Sequence, residues 1–144
     1  MVSDAEEVKK VIQGIFEAAR EKDFQKLASY NRWDAGYTKF NDAPPFELLE
    51  GERARHLDEV TYTNITDFTC VVEGLRVDAR GDCAVATCYL RYGGIFVNDY
   101  SFEATRMSML SRATFVLYRF KEGWMVVHQH LSPMQKGGEV FGDE

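Results

Sequence analysis

The chain is poor in cysteine and proline, and it has neither a long apolar run nor a basic cluster. Three cysteines, Cys70, Cys83 and Cys88, are an odd number set in apolar, strand-like sequence. They exclude a framework in which every cysteine is paired and suit reduced thiols in a cytoplasm. No apolar stretch approaches the roughly 20 residues that cross a bilayer, so no membrane partner is expected. The opening MVSDAEEVKK lacks the basic and apolar regions of a signal peptide, which agrees with a cytoplasmic expectation. Its 17 basic residues are outnumbered by 23 acidic ones and are scattered, giving a net charge of −6. A phosphate backbone needs clustered Lys and Arg, so nucleic acid is not expected as a partner. Gly-rich phosphate loop, serine nucleophile elbow and Cys-x-x-Cys are all missing, and no cofactor is expected.

What is there is one core's worth of apolar sequence, 45% of 144 residues, which fits a single domain over residues 1–133. The polar, Gly-rich tail 134–144 is expected to be flexible, with Val140 and Phe141 able to contact a partner subunit. Ser3, with Glu6 three residues on, predicts a helix from Asp4. Val8, Val11, Ile12, Ile15, Phe16 and Ala19 give that helix one apolar stripe. A short second helix begins at Asp23 and ends near Asn31 and Arg32. A YTKF strand follows, Pro44-Pro45 interrupts it, and a third helix runs from Gly51 to about Asn64.

The period then changes to that of strands, over 68–78, 83–92, 107–120 and 124–131, rich in β-branched and aromatic residues. Residues 93–106 read as a hairpin or a loop. Arg80-Gly81-Asp82 and Lys121-Glu122-Gly123 are turn signals that join antiparallel neighbours. Helices first and a meander afterwards define an α+β domain, with helices on the concave face of a curved sheet.

On the last strand, strict alternation puts Trp124, Val126, His128 and His130 on one side and Met125, Val127, Gln129 and Leu131 on the other. Neither side is built for water, so the open face of the sheet is expected to form a homodimer. Two registers for the preceding hairpin remain open: Phe120 opposite Trp124, or Lys121 opposite Trp124. Trp124, His128 and His130 are therefore candidates for an interface or a pocket. A His-x-His pair about 7 Å apart can also bind a metal, but a third ligand would have to come from elsewhere, His56 for instance; no metal is expected.

Arg112, Thr114, Gly123, Trp124, His128, His130 and Ser132 together give Arg-x-Thr, a strand, a Gly-Trp turn and a strand ending His-x-His-x-Ser. With YTKFND upstream and Gly51 before a helix, this order resembles the nuclear transport factor 2-like superfamily. Within it, the chain is similar to the SnoaL-like branch and to the association (hub) domain of calcium/calmodulin-dependent protein kinase II. The resemblance implies a cone-shaped α+β fold, dimerisation through the outer sheet face, His128 and His130 outward, and Met125, Val127 and Gln129 inward.

For function, the resemblance implies a homo-oligomeric domain binding a small hydrophobic or carboxylate ligand in a mostly apolar cavity. It equally allows an acid-base enzyme acting on a hydrophobic carbonyl or cyclic compound, or a hub-like assembly module. Isomerase-like relatives use a carboxylate to move a proton, and by position Asp34 is the nearest candidate, with Tyr30, Trp33 and Tyr37 as walls and hydroxyl donors. The alternative is that Asp34 starts a turn among core aromatics. Residues 113–118 contain no acid, which disfavours a ketosteroid-isomerase mechanism. The hub's arginine-lined pocket is only partly matched. Its positions fall on Phe115 or Val116, on Leu131, and on Arg91 or Tyr89, with Arg112 as a further candidate at the pocket mouth and Gln129 facing in.

Overall fold

The structure, a computed structural model, describes residues 2–43, 46–98 and 103–134. Helix α1 (Asp4–Glu21) starts where Ser3 Oγ accepts the Glu6 amide hydrogen at 3.2 Å. Lys22 ends it in the left-handed region, with its amide on Ala18 and Ala19 carbonyls. Val8, Ile12, Ile15, Phe16 and Ala19 of the expected stripe are buried, Val11 is half-buried at its edge, and Ala18 is buried in addition. Helix α2 (Phe24–Tyr30) is capped by Asp23, and α3 (Gly51–Thr63) ends at Asn64.

Six strands form one sheet: β1 (Thr38–Phe40), β2 (Leu48–Glu50), β3 (Ile65–Arg80), β4 (Cys83–Asn98), β5 (Glu103–Phe120) and β6 (Gly123–Pro133), in the order β2-β1-β6-β5-β4-β3. All neighbours are antiparallel except β1 and β6. The three helices pack on one face of this curved, unclosed sheet, and Phe16 meets Phe115 edge-on at 6.2 Å in the core between them. The architecture is thus the expected α+β fold.

Bulges bend the sheet. Strand β3 shifts register between Thr66 and Thr69 and again between Glu73 and Arg76. Asp67 and Gly74 lie inside those shifts with φ of 56° and 64°. An extra residue on one strand raises the local twist and curls the sheet over its helices.

A further bulge corrects the sequence reading of β6. Pairing runs Val116 with His128 and then Leu117 with Val126, so Val127 is the extra residue. Trp124 and Val126 therefore share the core with Leu131, beside the buried Gln129, while His128 and His130 face out. Strict alternation had put Val126 with the histidines, and the resemblance had put Met125 and Val127 inward. The hairpin is also in neither expected register, since Arg119 stands opposite Trp124 and Phe120 opposite Gly123.

Strands β4 and β5 run further than the ranges read from sequence and pair as a hairpin through most of 93–106, the segment read as a hairpin or a loop. Residues 99–102 lie outside the described residues, as do Pro44-Pro45 and the tail from 135 on. Burial pushes the thiols of Cys70 and Cys88 up to about 12 and about 11, and Cys83 is exposed.

Candidate functional site

Strand β1 sets the site through its pairing with β6. Thr38, Lys39 and Phe40 stand beside His128, Gln129 and His130. Alternation then sends Lys39 inward with Gln129 and sends Thr38 and Phe40 outward with the two histidines. On the outer face Thr38 Oγ1 lies 2.7 Å from His128 Nδ1, and the Phe40 ring sits 6.1 Å and 5.2 Å from the two imidazoles. Desolvation, together with the neighbouring His130, holds the His128 pKa below the usual histidine range.

Inside, a cavity of about 150 Å³ lies between α1, α3 and the sheet. Phe16, Leu57, Phe68, Leu90, Met107, Met109 and Leu131 supply apolar wall, and Lys39, Asp42, Asp58, Tyr62 and Tyr92 supply polar groups. The volume is near that in which a single aromatic ring fits. Two polar centres stand in this wall.

The first is Asp42, 6% exposed, in the segment leaving β1. Asn41 Oδ1 accepts its amide hydrogen at 3.0 Å. Its Oδ2 accepts from both the Tyr92 hydroxyl on β4 and Ser111 Oγ on β5. Ser111 is wholly buried. Desolvation, followed by the Asp42 carboxylate, raises the Tyr92 pKa, so the phenol stays protonated and donates.

The second centre is an ion pair: Lys39 Nζ lies 2.7 Å from Asp58 Oδ1 on α3, with side chains 3% and 15% exposed. Asp58 and Tyr62 are four apart and meet on one helical face. Desolvation and then Asp58 raise the pKa of Tyr37 and of Tyr62 well above the usual phenol value. Behind the cavity Tyr37 donates to Gln129 Oε1 at 3.3 Å.

The residues singled out from sequence are dispersed. Tyr37, Gln129, Trp33 and Trp124 are buried, with Trp33 edge-on to Tyr37 at 6.2 Å. Asp34 is on the surface, 74% exposed and 3.1 Å from Arg32 Nε, at a shallow cleft with Trp33. Tyr30 is half-buried against Gly14. Tyr89, Arg91 and Arg112 are exposed on the outer face, Arg91 paired with Glu73 at 3.3 Å. None of these, nor His128 or His130, lines the cavity.

Sequence reasoning missed Lys39, Asp42, Asp58, Tyr62, Tyr92 and Ser111 as a group. Alternation through YTKFND was a usable signal, because it puts Lys39 of β1 on the same side as Tyr37 just before it.

A cone of three helices on a bulged, open six-stranded sheet, with a polar-tipped apolar cavity between the layers, defines a nuclear transport factor 2-like domain. The SnoaL-like domain family model matches residues 8–136, and the chain belongs to that family.

Solved structures agree in fold. A candidate dehydratase of the NTF2-like family from Streptomyces avermitilis superposes with a TM-score of 0.78 at 23% identity, over 92% of this chain and 97% of that one. The CaMKII hub of S. rosetta gives 0.72 at 23% identity, over 93% and 99%. An NTF2-like superfamily protein from Salmonella enterica gives 0.75 at 16% identity, over 95% of each chain. At these identities the likeness is one of fold. No curated protein sequence matches the chain significantly.

Proposed function

We propose that the chain is a homo-oligomeric small-molecule-binding domain whose cavity takes a compact, mostly apolar ligand with a hydroxyl directed at Asp42. The observation that carries this reading is a buried carboxylate, held by Tyr92 and Ser111, opening onto a mostly apolar wall. Concave apolar pockets with a few fixed polar groups are the usual form of a ligand site. Self-association through the outer face is supported by its exposed Phe40, Val71, Val85, Tyr89 and Tyr118. Among the described residues no helix is long and apolar enough to cross a membrane.

Phenol is a suitable probe, since it has one ring and one hydroxyl. Calorimetric titration is expected to show binding to the wild type, weakened about tenfold in Asp42→Asn and lost in Met109→Trp, which fills the cavity. Equal affinity in all three proteins would remove the cavity as the site.

Acid-base catalysis is the second reading, and Asp42 favours it. A carboxylate enclosed in apolar surroundings and within reach of a bound molecule can move a proton. In this reading Asp42, rather than the exposed Asp34, is the base.

A further inference from the structure

The Lys39–Asp58 pair has a use that core packing does not explain. An apolar pair of similar volume would do as well or better for stability, because two buried charges lose hydration that their attraction only partly replaces. The pair is nonetheless in the cavity wall, on a strand centre and a helix face. An ammonium carries three donors; among the described residues Asp58 Oδ1 receives one of them. Much of the cavity wall is carbon, from Phe16, Leu57, Phe68, Leu90 and Leu131, which accepts nothing. An occupant with an acceptor oxygen would satisfy a second donor.

Charge narrows the occupant further. Asp58 neutralises Lys39, and the Asp42 carboxylate leaves the three groups with a net charge of −1. A carboxylate ligand would meet that excess inside a low-dielectric space, whereas a neutral carbonyl would not. We infer that Lys39 Nζ anchors an acceptor oxygen of the ligand, and that this oxygen is a neutral ketone or aldehyde carbonyl rather than a carboxylate. Asp58 fixes the direction of the ammonium and cancels its charge. The inference rests on the cavity reading above and assigns its second polar contact: Asp42 accepts from a hydroxyl, and Lys39 donates to a carbonyl.

Acetophenone, ethylbenzene and benzoate share a ring and differ in the group that would meet Lys39. Their dissociation constants for the full chain, measured by calorimetric or fluorescence titration, test the assignment. Acetophenone is expected to bind about tenfold or more tighter than the other two, the usual worth of a hydrogen bond from a charged donor. In Lys39→Met/Asp58→Leu, which leaves no orphan charge, acetophenone is expected to fall to the level of ethylbenzene while ethylbenzene holds or improves. Equal binding of acetophenone and ethylbenzene to the wild type would overturn the anchor and leave the cavity reading standing. Benzoate binding tighter than acetophenone would overturn the preference for a neutral group. Binding of none of the three, and none of phenol, would overturn the cavity reading and this inference with it. The wild-type comparison decides the matter even if the double variant does not fold.

Discussion

Asp58→Ala is expected to lower stability by about 3–5 kcal/mol, far more than an exposed acid on a helix would cost. The reason is the partner it abandons. Lys39 is 3% exposed at the middle of β1, so its ammonium would be left in the core wall without a counter-charge. Removing both charges is a different experiment. Lys39→Met/Asp58→Leu is expected to fall within about 1 kcal/mol of the wild type or above it, since buried pairs are often replaced by apolar residues without loss. Urea denaturation of the wild type, the single variant and the double variant gives all the numbers needed. A loss below about 1 kcal/mol in Asp58→Ala would mean that water reaches Lys39 and that the pair is not buried in solution.

Val116→Asp is expected to split the proposed homodimer, raising its dissociation constant about 100-fold or more. Val116 stands on the outer face opposite His128, with Val85 beside it on β4. In a two-fold interface each substitution occurs twice and faces the same patch on the partner, so one new carboxylate becomes two desolvated ones. The fold of the single chain should survive, because Val116 points away from the helices and the Phe115–Leu117 core remains. Sedimentation equilibrium is expected to show a dimer for the wild type and a monomer for the variant. A variant that stays as tightly associated as the wild type would place the interface elsewhere on the molecule.

The parts of this structure that sequence revealed are those fixed by near neighbours. Ser3 and Glu6 marked the start of α1, and the apolar stripe from Val8 to Ala19 marked its buried face, because a helix is set by contacts three and four residues apart. The Gly123-Trp124 turn and the His-x-His-x-Ser ending located the last strand and the fold for a similar reason: they are local patterns.

What stayed hidden depends on distant partners. Gly93 and Gly94 look like chain breakers, yet they lie inside β4. A Cβ on Gly93 would come within 2.4 Å of the Met107 carbonyl oxygen, and one on Gly94 within 2.5 Å of Ile65 Cγ2. Close approach, not a turn, demands glycine there. The Val127 bulge reversed the assignment of half a strand because one inserted residue changes every face after it. Asp34 drew attention through its aromatic neighbours in sequence. Asp42 gained its environment from Tyr92 and Ser111, 50 and 69 residues further along, and nothing local announces such partners.

The most direct test of the cavity account uses the methionines. Met107 and Met109 line the cavity, whereas Met125 lies at the cleft beside Arg32 and Met134 is exposed beyond β6. With methyl-labelled methionine, a titration with phenol followed by NMR reports each position separately. The account predicts that the Met107 and Met109 methyl resonances shift together and saturate with one dissociation constant while those of Met125 and Met134 hold still. Shifts confined to Met125 or Met134, or none at any methionine up to millimolar phenol, would contradict it.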